Sequence, residues 1–440
     1  MRTGNEVIDA SALAILGGEA VHEKQWPAWP RAGVLAQRSV LEVLHSSRWT
    51  ITACTRFEDS YERRFGAAFS ESVARQFGVP CSSGSTALTI ALQAIGIGPG
   101  DEVIVPGLTW VACASTIAHL GAVPVLVDIG ATSLCMAPEA VEAAITPATK
   151  ALLAVHMYAS RADIGRLQRI CERHDILLIE DASQAHGGSL LEGRVGSFGA
   201  ISIFSFQQTK LLTSGEGGIA VTDDLTLFER MQKFRADGRV YGSAPGEGGF
   251  HDLEDLGGVM GRNGCMSEFH AAILLEGLQR LDRENAHRSA MADELSHRLD
   301  AVGGMTIVRD ALPKHDGGTF YKIPLWMEDE ALLRLGPAMV SRALTAELNL
   351  PVAPLDWPLD RSPLYPPLTA PLILRTPGLA QRVNPQRFDL PNAVNAWGHC
   401  VALPHECLLG GLPEVDAIGA AVAKLRAQAE RLAEFAQEQQ

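Results

Sequence analysis

The chain lacks every pattern that would staple or clip a small domain. Its eight cysteines, Cys54, Cys81, Cys113, Cys135, Cys171, Cys265, Cys400 and Cys407, include no C-x-x-C pair, so neither a disulfide framework nor a metal site has a motif to rest on. They read as small buried hydrophobes in a reducing, cytoplasmic protein. Long apolar runs are missing as well. The opening stretch "MRTGNEVIDASALAILGGEA" is charged and its apolar run is short, which argues against a signal peptide and against a membrane span. Basic residues are the minority, 37 Lys and Arg against 51 Asp and Glu. A net charge of −14 argues against nucleic-acid phosphate or an anionic membrane as a partner. There is no internal repeat and no low-complexity tract.

What is present describes an ordinary globular protein: 440 residues, 47% apolar and 20% charged. That length exceeds what one compact core accommodates, so a large domain and a smaller one are expected. Residues 1–30, ending in "QWPAWP", read as an irregular arm. A helical pattern starts near Val34, and "SYERRFGAAFSESVARQFG" reads as a second amphipathic helix. Then short apolar strands alternate with helices. "DEVIVPG" leads to a helix from Trp110 to about Leu120, "AVPVLVDI" to "PEAVEAAI", and "KALLAVH" to "ADIGRLQRICERHD"; "ILLIED", "ISIFSF" and "GIAVTD" follow. This rhythm predicts an α/β fold with a mainly parallel sheet covered on both faces. The segment "RADGRVYGSAPGEGGFHDLEDLGGVMGRNGCM" reads as a long functional loop, helices resume at Ser267, and a second α/β domain is expected from about Ala301. The division is therefore an arm over 1–30, a large domain over 31–300 and a small one over 301–440.

In an open parallel sheet, ligands bind beyond the carboxyl ends of the strands, and polar stretches fall at several such ends. In "CSSGSTALTIAL" small hydroxyl residues and a glycine lead into an apolar-periodic helix. Backbone N–H groups there, with the hydroxyls of Ser85 and Thr86, suit a phosphate; the same residues also read as a plain N-cap. In "ILLIEDASQAHGG" Asp181 closes an apolar strand, where a bare carboxylate is costly unless it meets a cation or several donors. A protonated ring nitrogen would be such a cation, and a structural strand end is the other reading. Gln184 and His186 follow within reach of the same ligand. In "FSFQQTKLLTSGEGG" Ser205 ends a strand, and Lys210 stands between that apolar strand and a glycine-rich turn. Most lysines are solvated surface charges, but one held near apolar walls and other cations has a lowered pKa and attacks carbonyls. In "PGLTWVACAST" Trp110 is either core or a face on which a planar ring stacks.

A phosphate cradle, a stacking aromatic, a carboxylate for a ring nitrogen and an imine-forming lysine together describe pyridoxal 5'-phosphate. On "SGSTAL", "DEVIVPGLTWVA", "PVLVDI", "VHMY", "IEDASQAHG", "FSFQQTKLLTSGEGG" and "NGCMSEFHAAIL", in that order, the chain resembles the DegT/DnrJ/EryC1/StrS sugar and aminocyclitol aminotransferases, which have the fold-type-I pyridoxal phosphate architecture. The likeness runs from about Trp26 to the C-terminal helix. "SFQQTKLLTSGEGG" with "FRADGRVY" is most similar to the branch that aminates cyclitol ketones for aminoglycoside-type antibiotics, as in L-glutamine:2-deoxy-scyllo-inosose aminotransferase.

The resemblance implies that Lys210 carries the cofactor, that Asp181 pairs with its ring nitrogen and that Gln184 lies near its ring hydroxyl. It implies Trp110 stacked on the ring, Ser85, Thr86 and Ser205 on the phosphate, and His186 as a weaker candidate for substrate contact. Asn263 would reach the phosphate of the other subunit, so a homodimer with shared active sites is implied. The partners would be L-glutamine or L-glutamate and a keto-cyclitol or keto-sugar. Some positions depart from the family pattern. Gly264 stands where an aromatic residue is usual and Cys265 where an arginine or lysine is common, and "LPVAPLDWPLDRSPLY" lacks a histidine found in many relatives. Two other readings are carried: a pyridoxal phosphate lyase of the 3-amino-5-hydroxybenzoate synthase type, and a non-catalytic paralogue acting as a subunit or regulator.

Overall fold

The computed structural model describes residues 12–53, 57–190, 193–241, 253–309 and 318–438. Cys54, the first residues of the arm and the middle of the glycine-rich segment lie outside the described residues. The architecture is α/β. Its main sheet has seven strands: β1 (Phe77–Cys81), β2 (Glu102–Pro106), β3 (Val123–Val127), β4 (Thr149–Val155), β5 (Leu177–Asp181), β6 (Ile201–Ser205) and β7 (Gly218–Thr222). Their spatial order is β1-β7-β6-β5-β4-β2-β3. β3, β2, β4, β5 and β6 run parallel, while β7 is antiparallel to both β6 and β1. Every residue of β2 and of β7 is buried, which is why those segments read as unbroken apolar runs.

Helices α1 (Val34–Ser46), α2 (Tyr61–Ser72), α3 (Gly84–Ala94), α4 (Ala112–His119), α5 (Pro138–Ala144), α6 (Ile164–His174) and α7 (Leu225–Arg235) cover the sheet. α6 shows how local sequence builds them. Asp163 accepts the Arg166 N–H at its start, and Ile164, Leu167, Ile170 and Cys171 form its buried stripe.

β1 is a correction to the sequence reading, which ran the second helix on to Gly78. α2 stops at Ser72, and Ala74 takes a positive φ of 57° that breaks the helical path. Gly78 and Pro80 hide the strand signal. Pro80 is tolerated because β1 lies at the sheet edge, and a Cβ on Gly78 would sit 2.6 Å from the Gly66 carbonyl, so α2 and β1 pack backbone to backbone. The glycine-rich segment is likewise not all loop: Arg239–Tyr241 pairs antiparallel with Leu253–Asp255.

Helix α8 (Glu268–Val302) is 35 residues long and links two hydrophobic cores. Leu281 packs in the first core, beneath the main sheet, while Ala292, Leu295 and Leu299 pack in the second. That second core lies against an antiparallel sheet of four strands, β8 (Met305–Ile307), β9 (Lys322–Met327), β10 (Ala353–Pro354) and β11 (Cys400–Pro404), in the order β8-β9-β11-β10. Helix α9 (Glu330–Leu348) covers it and bends where Gly336 leaves helical geometry just before Pro337.

The arm folds back onto this second body. Leu13 is fully buried there, the Trp26 indole N–H donates to the Leu348 carbonyl at 2.6 Å, and the buried Glu347 carboxylate accepts the N–H of Ala14 at 2.7 Å and the Lys424 ammonium at 3.1 Å. Among the described residues no helix is long and apolar enough to cross a membrane.

Candidate active site

Strand register brings the sequence motifs to one edge of the main sheet. Asp181, the last residue of β5, lies opposite Ile203, while Ser205 at the end of β6 and Cys81 at the end of β1 both lie opposite Gly218. The turn after β1 is pressed onto this edge. A Cβ on Gly84 would meet Ser205 Cβ at 2.6 Å, and one on Gly218 would meet the Ser83 carbonyl at 2.3 Å. Only glycine permits that approach. A cavity of about 480 Å³ opens there, with Ser83, Ser85, Trp110, Asp181, Gln184, Ser205 and Lys210 on its wall.

The start of α3 forms one end. Ser83 is its N-cap and accepts the Thr86 N–H at 3.1 Å. Thr86 Oγ1 lies 3.0 Å from the hydroxyls of both Ser82 and Ser83. Capping therefore falls to Ser83, which sequence reading did not single out, and Ser85 is left exposed on the cavity wall. Thr86 stands behind the wall. An anion at this end would meet free backbone N–H groups, hydroxyls and the positive end of the helix dipole.

Asp181 forms the floor. It is 5% exposed; one carboxylate oxygen accepts the Ser183 N–H at 3.0 Å and the other a weak bond from Cys113 Sγ at 3.3 Å. No cation among the described residues forms an ion pair with it. Burial, then the neighbouring Asp181 charge, pushes the Cys113 thiol well above its usual range, so it remains a protonated donor. Gln184 is held by accepting the Tyr158 N–H at 2.7 Å.

Lys210 enters from the turn after β6. Its Nζ lies 4.1 Å from the centroid of the Tyr321 ring, and burial lowers its pKa to about 8, against the opposing pull of Asp181 and Asp356. Trp110 is 51% exposed beside it, an open indole face rather than core.

Like Thr86, two further predicted residues do not line this cavity. His186 is fully buried beneath the sheet edge, with its Nε2 2.9 Å from the Ser205 carbonyl and its ring against Phe204 and Phe206. Burial and the Lys210 charge push its pKa down to about 3, so it is a neutral imidazole. Asn263 is exposed, and its side-chain oxygen accepts the Cys265 N–H at 3.3 Å. Residues that motif reading missed complete the wall: Cys113, Tyr321 and Asp356. Asp356 is fixed by the Tyr158 hydroxyl, which donates to it at 2.9 Å. Such contacts between elements distant in sequence leave no local pattern.

The cavity fits pyridoxal phosphate on its own chemistry. It holds a buried carboxylate with no ion pair among the described residues, an amine with a depressed pKa, an exposed indole for a planar ring and a helix start lined with hydroxyls. Fold and cavity together define a fold-type-I enzyme that works with this cofactor.

Over residues 36–422 the chain matches the DegT/DnrJ/EryC1/StrS aminotransferase family. It is 44% identical over 415 residues to L-glutamine:scyllo-inosose aminotransferase of Streptomyces griseus, covering 94% of this chain and 97% of that one. It is 43% identical over 418 residues to L-glutamine:2-deoxy-scyllo-inosose aminotransferase of Streptomyces kanamyceticus, covering 95% and 97%. Among solved structures, 3-amino-5-hydroxybenzoic acid synthase superposes with a TM-score of 0.78 at 30% identity, covering 93% of this chain and all of that one. The chain belongs to the DegT/DnrJ/EryC1/StrS family and is a pyridoxal-phosphate-dependent aminotransferase.

Proposed function

We propose that this aminotransferase moves the amino group of L-glutamine onto the ketone of a cyclitol or related sugar in the biosynthesis of an aminocyclitol-type antibiotic, with L-glutamate as the alternative donor. The observation that carries the reading is Lys210, an amine of pKa about 8 that shares a cavity wall with Asp181, a buried carboxylate that forms no ion pair among the described residues. The choice of donor and acceptor rests on the two glutamine-dependent inosose aminotransferases to which the chain is 43–44% identical.

Pyridoxal phosphate, when bound, supplies a carbonyl carbon for amines and an electron-accepting ring. The chain's residues would do the rest. The phosphate would be held by Ser85, Thr86, Ser205 and the backbone at the start of α3. Trp110 would cover one face of the ring, Gln184 would lie near its hydroxyl, and Asp181 would keep its nitrogen protonated by pairing with it. Lys210 Nζ would hold the cofactor's aldehyde carbon at rest. Once the donor's amine releases it, the same nitrogen would take the donor's α-proton and later deliver a proton to the acceptor carbon. At pH 7 a group with this pKa is roughly one-tenth neutral, enough for a general base.

Asn263 is exposed and off its own chain's cavity, which supports a homodimer in which it serves the other subunit's phosphate site. The test is the visible absorbance of the holoenzyme with L-glutamine, then with scyllo-inosose. Loss of the lysine-bound band, followed by its return, is expected. A band that ignores glutamine and glutamate would point to the lyase reading, and the lack of any band to the non-catalytic one.

A further inference from the structure

A second cavity of about 540 Å³ adjoins the lysine cavity and shares Thr109, Trp110 and Asp356 with it. Its wall carries the indoles of Trp110, Trp357 and Trp397 and one carboxylate, Asp356. Trp357 and Trp397 pack on each other with ring centroids 4.5 Å apart, and Trp357 is 44% exposed. Aromatic faces left wet at the mouth of a cavity are the usual surface for a ligand's apolar side. Among the described residues no lysine or arginine lines this cavity, and Lys210 is the one cation on the wall of its neighbour.

Asp356 is set in place. Its backbone N–H donates to the Tyr158 hydroxyl oxygen at 2.9 Å, that hydroxyl donates to one carboxylate oxygen at 2.9 Å, and Lys322 Nζ stands 3.7 Å from the other. An ionised carboxylate offers about four acceptor positions, so this one retains capacity for incoming hydroxyls.

We propose that the second cavity seats the acceptor and selects an uncharged six-membered carbocycle with equatorial hydroxyls, its C–H face on Trp357 and its rim hydroxyls on Asp356. This rests on the donor and acceptor reading above and adds the residues that impose it. A ring whose hydroxyls are all equatorial is apolar on both faces, where axial C–H bonds project, and polar around its edge. An indole complements the face, and a fixed carboxylate complements the edge through charge-assisted hydrogen bonds. A phosphorylated or nucleotide-linked sugar would bring negative charge beside Asp356, where Lys322 is already paired with that carboxylate and lines neither cavity.

The test is calorimetric binding of scyllo-inositol, an unreactive all-equatorial ring, to the holoenzyme and to Trp357→Ala, Trp357→Phe and Asp356→Asn. Retained cofactor absorbance shows that each variant is folded. Dissociation constants about tenfold higher are expected for Trp357→Ala and Asp356→Asn, with Trp357→Phe within about threefold of wild type. An inositol monophosphate is expected to bind wild type at least about tenfold more weakly than scyllo-inositol. Unchanged affinity in both Trp357→Ala and Asp356→Asn, or preference for the phosphate ester, overturns the proposal. The donor and acceptor reading is judged separately, by whether scyllo-inosose restores the absorbance of glutamine-treated wild type. If it does while the variants bind like wild type, the seat is wrong and the reading stands; if wild type neither binds scyllo-inositol nor responds to the ketone, both fall.

Discussion

The Trp29 indole N–H donates to the carbonyl of Gln208 at 3.0 Å, two residues before Lys210. Next to it, His405 Nε2 lies 3.2 Å from the Thr209 carbonyl, and its ring meets the Trp29 ring edge-on at 4.6 Å. Burial and the nearby Arg288 guanidinium hold His405 well below its usual range, so its ring is neutral and the Nε2–H donates. The two peptide carbonyls before the lysine are thus each held by a side chain from outside the main sheet.

Trp29→Phe keeps most of the ring and removes the donor. The net value of such a bond, about 0.5–1.5 kcal/mol, predicts a kcat lower by roughly two- to tenfold, with KM for glutamine moving less. Steady-state kinetics check this. Equal kcat in the variant would show that the lysine turn holds its shape without the arm.

Lys210 gives a signed pH dependence. Its folded pKa, about 8, lies below the ordinary lysine value of 10.5, and only the neutral amine attacks an aldehyde. The rate at which cofactor-free protein captures pyridoxal phosphate is therefore expected to rise with pH through a midpoint near 8 and to level off above it. Stopped-flow absorbance measures it; a rise continuing to pH 10 would mean that the amine is solvated. Lys210→Ala is expected to fold and to show no lysine-bound band.

Asp181→Asn preserves shape and removes charge. Without a carboxylate to keep the ring nitrogen protonated, turnover is expected to fall by at least about a hundredfold. The readouts are kcat and the position of the cofactor's visible band. A loss under about threefold would assign Asp181 to structure.

Away from the cavity, Arg235 and Glu62 form a buried ion pair, joined by the Tyr241 hydroxyl, which donates to Glu62. Arg235 also donates to the Pro80 carbonyl at 2.7 Å, tying α2 and α7 to β1. Glu62→Ala would strand the guanidinium, at a cost of about 3–5 kcal/mol. A clear fall in the denaturation midpoint is expected, while a double variant that replaces both charges with apolar residues recovers much of the loss.

By the resemblance Gly264 takes the place of an aromatic residue, and the structure shows what a larger side chain would meet there. A Cβ there would lie 2.7 Å from Thr86 Cγ2, and the Gly264 carbonyl accepts the Ser82 N–H at 2.8 Å. The segment bearing Asn263 is thereby pressed against the start of α3, and a larger residue would have to displace Thr86. That contact joins positions nearly 180 residues apart and could not be read from either stretch alone.

Sequence by itself marked most strands of the main sheet, because fully buried strands must be apolar throughout, and it marked the polar residues at their ends, because an acid or lysine beside such a strand needs a partner. It failed at β1, where Gly66 and Gly78 trade side chains for backbone contact, and at His186, whose spacing suggests a ligand but whose ring is shut beneath Ser205. Tertiary structure alone decided which groups share the cavity. Tyr321 and Asp356 reach it from the C-terminal third of the chain, and Trp29 reaches the lysine turn from the arm. The physical reason is range: periodicity and capping act within a few residues, whereas a site is assembled by packing between elements that no local pattern links.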